Sequence, residues 1–284
     1  MDMSLKAMPA SSDEGARACA ISPLAVVDPG ARLGVGVTIG PFTTVGPDVE
    51  IGDDVTVDSH VVLRGHTRIG ARTRIFPHVA LGMPPQDLKY KGEPTALEIG
   101  PDNVIREYAN MDIGTAHGGG VTRVGANGFF MAGIHIAHDC QIGDRAIFAN
   151  HVTLGGHVVI GDNVFIGGLS AVQQFCRIGR GAYLGGCNAV RYDVIPFGTV
   201  GQHGGKLAGI NIVGLKRRGV PVEQIRAALA LYRRVFLGRH PYSEALAEAR
   251  VALAGTPIVD EILAFIDGER HRPLMMGVDT GEGA

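Results

Sequence analysis

The stretch "GIHIAHDC" at residues 133–140 sets two histidines, an aspartate and a cysteine into an otherwise apolar line. Three kinds of chemistry would use such residues. A metal site needs several imidazoles converging at about 2.0–2.1 Å on one ion. His135 and His138 are three apart, so on extended chain their side chains point to different faces. One subunit alone does not close a tight metal site with that pair. A catalytic dyad needs an imidazole that titrates near neutrality, with a carboxylate to fix its tautomer and steady the imidazolium. His138 beside Asp139 supplies both groups. The third reading is structural, with histidines that merely edge a turn. The backbone decides among them.

Aliphatic residues recur every six positions from Ile21 through Val27, Leu33 and Ile39 to Leu81. The pattern returns at Ile99, Ile105 and Met111, slips by one near Gly118-Gly119-Gly120, and runs on from Val124 to Val190. Four positions after each aliphatic stands a small or β-branched residue, as at Val37, Thr43 and Val49. A period of six fits neither an amphipathic helix nor an alternating strand. It fits a parallel β-helix of short strands and tight turns, with three repeats to a coil. The 26 repeats make between eight and nine coils. At roughly 4.8 Å per coil the prism is about 40 Å long.

With three repeats per coil, each residue lies below the one eighteen positions later. His138 then lies below Gly156, which lies below Gln174, and Asp139 lies below His157 and Phe175. His138 falls between the core positions Ile136 and Cys140, so it is expected exposed at a face or corner. Gly156 offers a backbone N–H with no side chain in the way, as an oxyanion donor requires. Three imidazoles beside one carboxylate, with glycine at the point of approach, favour catalysis over simple turn formation.

Two stretches interrupt the period, 82–97 and 114–123, and read as loops protruding from the prism. The divisions expected are a loose N-terminal tail (1–20), a β-helix (21–200), a small helical domain (201–268) and a flexible tail (269–284). Helical spacing follows Pro196, with Pro221 placed for a first helical turn.

Composition narrows the function. The 284 residues carry a formal net charge of −2, so nothing points to nucleic acid. Charged residues are only 19% of the chain and glycines number 42, which suits turn-dense β structure. Four cysteines lack any CxxC pairing, as in a reducing compartment. The N-terminus is a poor signal peptide. No run reaches about eighteen apolar residues. A cytoplasmic protein without stable membrane insertion is expected.

"QDLKYKGEPT" (86–95), "HIAHDC" (135–140), "LGGH" (154–157), "QQFC" (173–176), "LGGC" (184–187) and "NIVGLKRRG" (211–219) occur in that order. Together, over about residues 21–268, they resemble the hexapeptide-repeat UDP-N-acetylglucosamine O-acyltransferases that begin lipid A biosynthesis. The resemblance implies a mainly β fold, a left-handed parallel β-helix followed by a small C-terminal α-helical domain. The general rule for parallel crossovers would give a right hand, so the left hand rests on the family.

The resemblance also implies transfer of a 3-hydroxyacyl group from the phosphopantetheine of acyl carrier protein to the 3-hydroxyl of UDP-N-acetylglucosamine. It implies a homotrimer with sites between neighbouring prisms, no metal and no further cofactor. On it, His138 is the general base, Asp139 orients it, and the Gly156 N–H receives the oxyanion. His135, His157 and Gln174 flank the substrates. Asp87 and Lys89 meet sugar and donor, and Asn211 and Arg217 hold the nucleotide. The basic run Lys216-Arg217-Arg218 suits a diphosphate or the acidic carrier protein. In the acyl-chain pocket, Gly186 leaves the far end open and favours a moderate to long chain, with bulky Tyr183 nearby as a cap.

The chain departs from the family pattern at Gln173, where histidine is common, at Val213, where an acid is common, and at Gly133 and Ile134. Other readings stay open on the residues: transfer to a UDP-3-amino sugar, a metal-dependent hydratase of the γ-carbonic anhydrase type, and a non-catalytic assembly protein.

Overall fold

The computed structural model describes residues 18–201, 205–237 and 241–277. Most of the expected N-terminal tail (1–17) and the last seven residues lie outside the described residues. From Ala20–Ile21 to Ala189–Val190 the chain winds as a left-handed parallel β-helix with three flat sheets. Most strands are two residues long. The second residue of each is the periodic aliphatic, and from Ile39 onward it is buried, as at Ile51, Ile75, Ile136 and Leu154. The residue two before each strand aliphatic fills the space between sheets, as at Val37, Val49 and Val55. Threonines there satisfy themselves: the Thr43 hydroxyl donates to the Asp58 carbonyl at 2.7 Å. Each buried aliphatic contributes about 1.5–3 kcal/mol relative to exposure.

The turns explain how two-residue strands can stack. Three positions after the aliphatic, non-glycine residues such as Asp54, Asn127, Asp139 and His157 take φ near +60°. Such a conformation is costly for an L-residue. The stack holds it in place, because the N–H of that residue donates to the turn below, as from His157 to the His138 carbonyl at 3.0 Å.

Both interruptions of the period leave from the corner between the second and third sheets. Ile51 pairs with Ile69, eighteen residues on, whereas Ile69 pairs with Ile99, thirty on, so the first loop inserts twelve residues. Ile99 pairs with Val124, twenty-five on, so the second inserts seven. Twelve is two repeats and leaves the phase unchanged; seven is one repeat plus the observed slip. Strands Ala80–Met83, Ala96–Ile99 and Val121–Val124 extend into the stretches expected as loops.

After Val190 the first sheet continues through Gly198–Val200 and turns antiparallel at Leu207–Ile210. Four helices follow: α1 (Ile212–Arg217), α2 (Val222–Phe236), α3 (Tyr242–Ala252) and α4 (Pro257–Asp267). Gly219, at φ +70°, separates α1 from α2, and Pro221 caps α2. Residues 269–277 are not a free tail. Leu274 and Met275 are buried, and Met275 N–H donates to the Asp193 carbonyl at 2.8 Å. Two apolar side chains seated on the prism hold this segment, and Arg272 Nε reaches the Gln174 carbonyl at 3.0 Å.

Candidate active site

The corner between the second and third sheets collects the chemistry. Strand His135–Ile136 pairs with Thr153–Leu154, which pairs with Ala171–Val172, so the turns that follow them stack. They carry His138-Asp139, Gly156-His157 and Gln174-Phe175. The two loops emerge from the same corner one and two coils below.

Adjacent side chains on extended chain point apart. Asp139 escapes this because its φ is +61°. Its carboxylate swings back, and Oδ2 accepts from His138 Nδ1 at 2.8 Å. Thr115 in the second loop donates its hydroxyl to Oδ2 at 2.6 Å and its N–H to Oδ1 at 2.9 Å. The Asp139 N–H in turn donates to Thr122 Oγ1 at 2.8 Å. Gly118 lets the second loop cross over this pair: a Cβ there would lie 2.2 Å from Asp139 Oδ2 and 2.5 Å from His157 Cε1. His138 thus sits at the corner yet is only 13% exposed, less than its place in the repeat suggests, with the second loop crossing its neighbours Asp139 and His157.

The three imidazoles are tuned differently. The hydrogen bond to Asp139 raises the His138 pKa above 6.5, against burial, with the charges of Asp139, Asp87 and Asp112 adding. Burial lowers the pKa of His135 and of His157. Burial also works against the Asp139 carboxylate, but bonds from His138 and Thr115 hold its pKa below the ordinary value. His138 is therefore the one imidazole of the three whose basicity the site increases. With Nδ1–H committed to the carboxylate, Nε2 carries the lone pair. It faces Gly156, where a Cβ would lie 2.7 Å from Nε2 and 2.6 Å from Cε1. Among the described residues no acceptor takes the Gly156 N–H, while the Gly156 carbonyl accepts from Phe175 at 3.1 Å.

Around this pair, His157 meets the His138 ring edge-on at 5.1 Å and stacks on Phe175 at 4.5 Å. His135 Nδ1 bonds Asn110 Oδ1 at 2.7 Å. In the first loop Asp87 is 3.2 Å from His117 Nε2. The Lys89 N–H bonds Asp87 Oδ1, which lowers the Asp87 pKa, and the Lys89 side chain is exposed. Gln174 is exposed on the coil above. His138, Asp139 and His157 bring ligand atoms within 4.8 Å of one another, so one subunit does gather a metal-like trio, through His157 and not His135. Both Asp139 oxygens, however, already accept hydrogen bonds.

Asn211 and Arg217 lie elsewhere. With Phe165, Tyr183, Val213 and Arg218 they line a cavity of about 850 Å³ between the first sheet and α1. The first sheet is the face of the prism opposite the His138 corner. Asn211 caps α1 through Oδ1, which accepts from Gly214 N–H at 2.9 Å, and its Nδ2 donates to the Gly181 carbonyl at 3.0 Å. Tyr183 stacks on Phe165 at 5.1 Å in this cavity. Gly186 does not share that lining. It lies at the next corner, because a strand position and a turn position three residues later face different sides.

The family model described as domain 2 of UDP-N-acetylglucosamine O-acyltransferase matches residues 193–275. The acyl-[acyl-carrier-protein]–UDP-N-acetylglucosamine O-acyltransferase of Paracoccus denitrificans is 50% identical over 201 residues, 71% of this chain and 76% of that one. Its namesake in Anaeromyxobacter sp. strain K is 49% identical over 187 residues, covering 66% and 73%. The chain belongs to this acyltransferase family. Among solved acyltransferases, LpxA of Acinetobacter baumannii has a TM-score of 0.86 at 36% identity, covering 90% of this chain and 99% of that one. The Arabidopsis UDP-N-acetylglucosamine acyltransferase has a TM-score of 0.77 at 32% identity, with the same coverage.

Several residues of this candidate site are not visible in the repeat. Thr115, His117 and Gly118 come from the second loop, which the phase slip and glycine run mark without saying where it folds. Arg272 comes from a segment expected to be flexible, and no sequence signal tied it to Gln174.

Proposed function

We propose that this protein transfers a 3-hydroxyacyl group from acyl carrier protein to the 3-hydroxyl of UDP-N-acetylglucosamine, as the first step of lipid A biosynthesis. The observation that carries this reading is the Thr115–Asp139–His138 chain of hydrogen bonds ending at an Nε2 that faces the Gly156 backbone. The names of the relatives supply the substrates. In the reaction Nε2 takes the sugar hydroxyl proton as its oxygen attacks the thioester carbonyl. Asp139 steadies the imidazolium, and the Gly156 N–H binds the tetrahedral oxyanion. The intermediate expels the phosphopantetheine thiolate, which recovers the proton from His138. No cofactor beyond that carrier group takes part. Such a reaction belongs in the cytoplasm, and no helix among the described residues is long and apolar enough to cross a membrane.

Asp87, Lys89, His135, His157 and Gln174 would flank the acyl and sugar groups. Arg217, with Arg218 beside it, would hold the diphosphate, and Asn211 would serve by fixing the start of α1. Val213, 61% exposed in the same cavity, gives the nucleotide no hydrogen bond. Since the cavity and the His138 corner lie on opposite sides of one prism, a nucleotide held in the first would meet a base from a neighbouring prism. That supports a homotrimer with shared sites.

The deciding assay follows acyl transfer to UDP-N-acetylglucosamine from a ladder of carrier-protein thioesters. Transfer of 3-hydroxyacyl groups of moderate to long length is expected, with Gly186 leaving room. Preference for acetyl or butyryl groups would refute the chain-length reading, and a faster reaction with a 3-amino sugar would move the acceptor. Gly156→Ala should cost about a hundredfold in kcat, because its Cβ would displace the His138 ring from its attack position. A melting curve close to wild type would show that the loss is local; full activity would remove the Gly156 role.

A further inference from the structure

The second sheet carries a carboxylate that this mechanism does not use. Asp112 ends the strand Asn110–Asp112 and is 1% exposed. Neither of its carboxylate oxygens has a hydrogen-bond partner among the described residues. The Gln86 N–H and the Asn110 side chain favour its charged form without reaching hydrogen-bond geometry. Asn110 and Met111 pair with His135 and Ile136, so Asp112 lies one coil beneath Ala137, the residue before His138. It also stands at the root of both loops. Its register partner is Met83, where the first loop leaves, and the second loop begins just after it.

A buried carboxylate without hydrogen bonds costs free energy, and a neutral side chain would fill the space without that cost. Burial pushes the Asp112 carboxyl up to about 6, while His138 pulls it back down. No lysine or arginine is among the groups that shift it. The other titratable groups near this point are Cys140 on the coil above, which feels the Asp112 charge, and His135, bonded to the neighbouring Asn110, while Asp139 and Asp87 act on the same His138 ring.

We propose that Asp112 is a positioning residue for acyl transfer, a second negative charge set one coil beneath His138 that steadies its imidazolium during turnover. The inference rests on His138 being the base, and Asp112 acts through that residue without touching the reacting atoms. Asp139 holds the ring by a hydrogen bond; Asp112 acts through space, where little water screens it. The sign of its stability effect is distinctive. A carboxyl whose folded pKa is raised stabilises the fold at low pH, and that contribution is lost as pH rises through about 6. Removing the charge should therefore stabilise the protein at pH above that value while weakening the base.

Asp112→Asn removes the charge and keeps the shape. At a pH of about 8, kcat/KM should fall about three- to tenfold. Its acidic limb should move to lower pH by about half a unit or more. The melting temperature at that pH should rise. Asp112→Ser, a second neutral variant, should give the same limb shift if the amide packs badly, and NMR titration of the His138 ring in each protein reads the effect directly. An acidic limb and a His138 titration unmoved in both variants would overturn the proposal. Loss of folding in both would make Asp112 structural and overturn it equally. Activity retained in His138→Ala would instead remove the underlying base, a different failure from an unmoved limb in Asp112→Asn.

Discussion

His138→Ala is expected to lower kcat for acyl transfer by a factor of about 10²–10⁴, with KM and melting temperature little changed. The imidazole is partly covered but packs mainly against other site residues, so its removal leaves the aliphatic core intact. The loss falls on the chemical step, since burial lowers the basicity of the two neighbouring imidazoles, His135 and His157, while the site raises that of His138. In the wild type, the acidic limb of kcat/KM should lie above the ordinary histidine value of 6.5, because the neutral ring is the active form and Asp139 favours its protonated form. Mixed oligomers of His138→Ala with Arg217→Ala should regain part of the activity, as one subunit then supplies the base and its neighbour the cation. Equal rates for wild type and His138→Ala would reduce the histidine to turn filler.

Asp139→Asn should cost about a hundredfold or more in kcat. Asparagine tolerates the left-handed backbone at this position, so the substitution tests the charge alone. Thr115 offers the residue two donors and His138 a third. An amide has one acceptor oxygen where the carboxylate has two. Either Thr115 loses a bond or the amide nitrogen turns toward His138 Nδ1 and forces the proton onto Nε2, the wrong tautomer for a base. The acidic limb should also fall, since the bond to Asp139 is the largest cause of the raised His138 pKa. A rate within threefold of wild type, with an unmoved limb, would show that Asp139 serves only the turn.

The period of six was a strong guide to this architecture because every coil repeats the same burial problem. Ile136, Leu154 and Val172 fall at matching places, and the turns between them stack His138, Gly156 and Gln174 without reference to any other part of the chain. What escaped was whatever folds back onto the prism. Thr115 reaches Asp139 across twenty-four residues by the path of one irregular loop, and Arg272 reaches Gln174 across ninety-eight. Neither contact has a period to betray it. Asp112 was hidden for another reason: an aspartate at a strand end reads as a surface residue until the loops that bury it are in place. Asn211 read as a ligand group, yet its amide also caps α1, a role that local geometry assigns.

The open first coil has a consequence for how the molecule comes apart. Val26 is 67% exposed, and Ile21, Leu24 and Val35 are exposed beside it, whereas the last coils lie under the antiparallel strand, the helices and the segment around Met275. Each coil touches chiefly its two neighbours, so unfolding can begin at this exposed coil and move along the stack like a zip. Amide protection should then form a gradient, low near Ile21 and high near Leu184. The His138 corner sits in the shielded half. Loosening of the first coils can proceed without disturbing the rungs that hold His138 and Gly156, and the early part of the prism is free to vary while the chemistry stays in register.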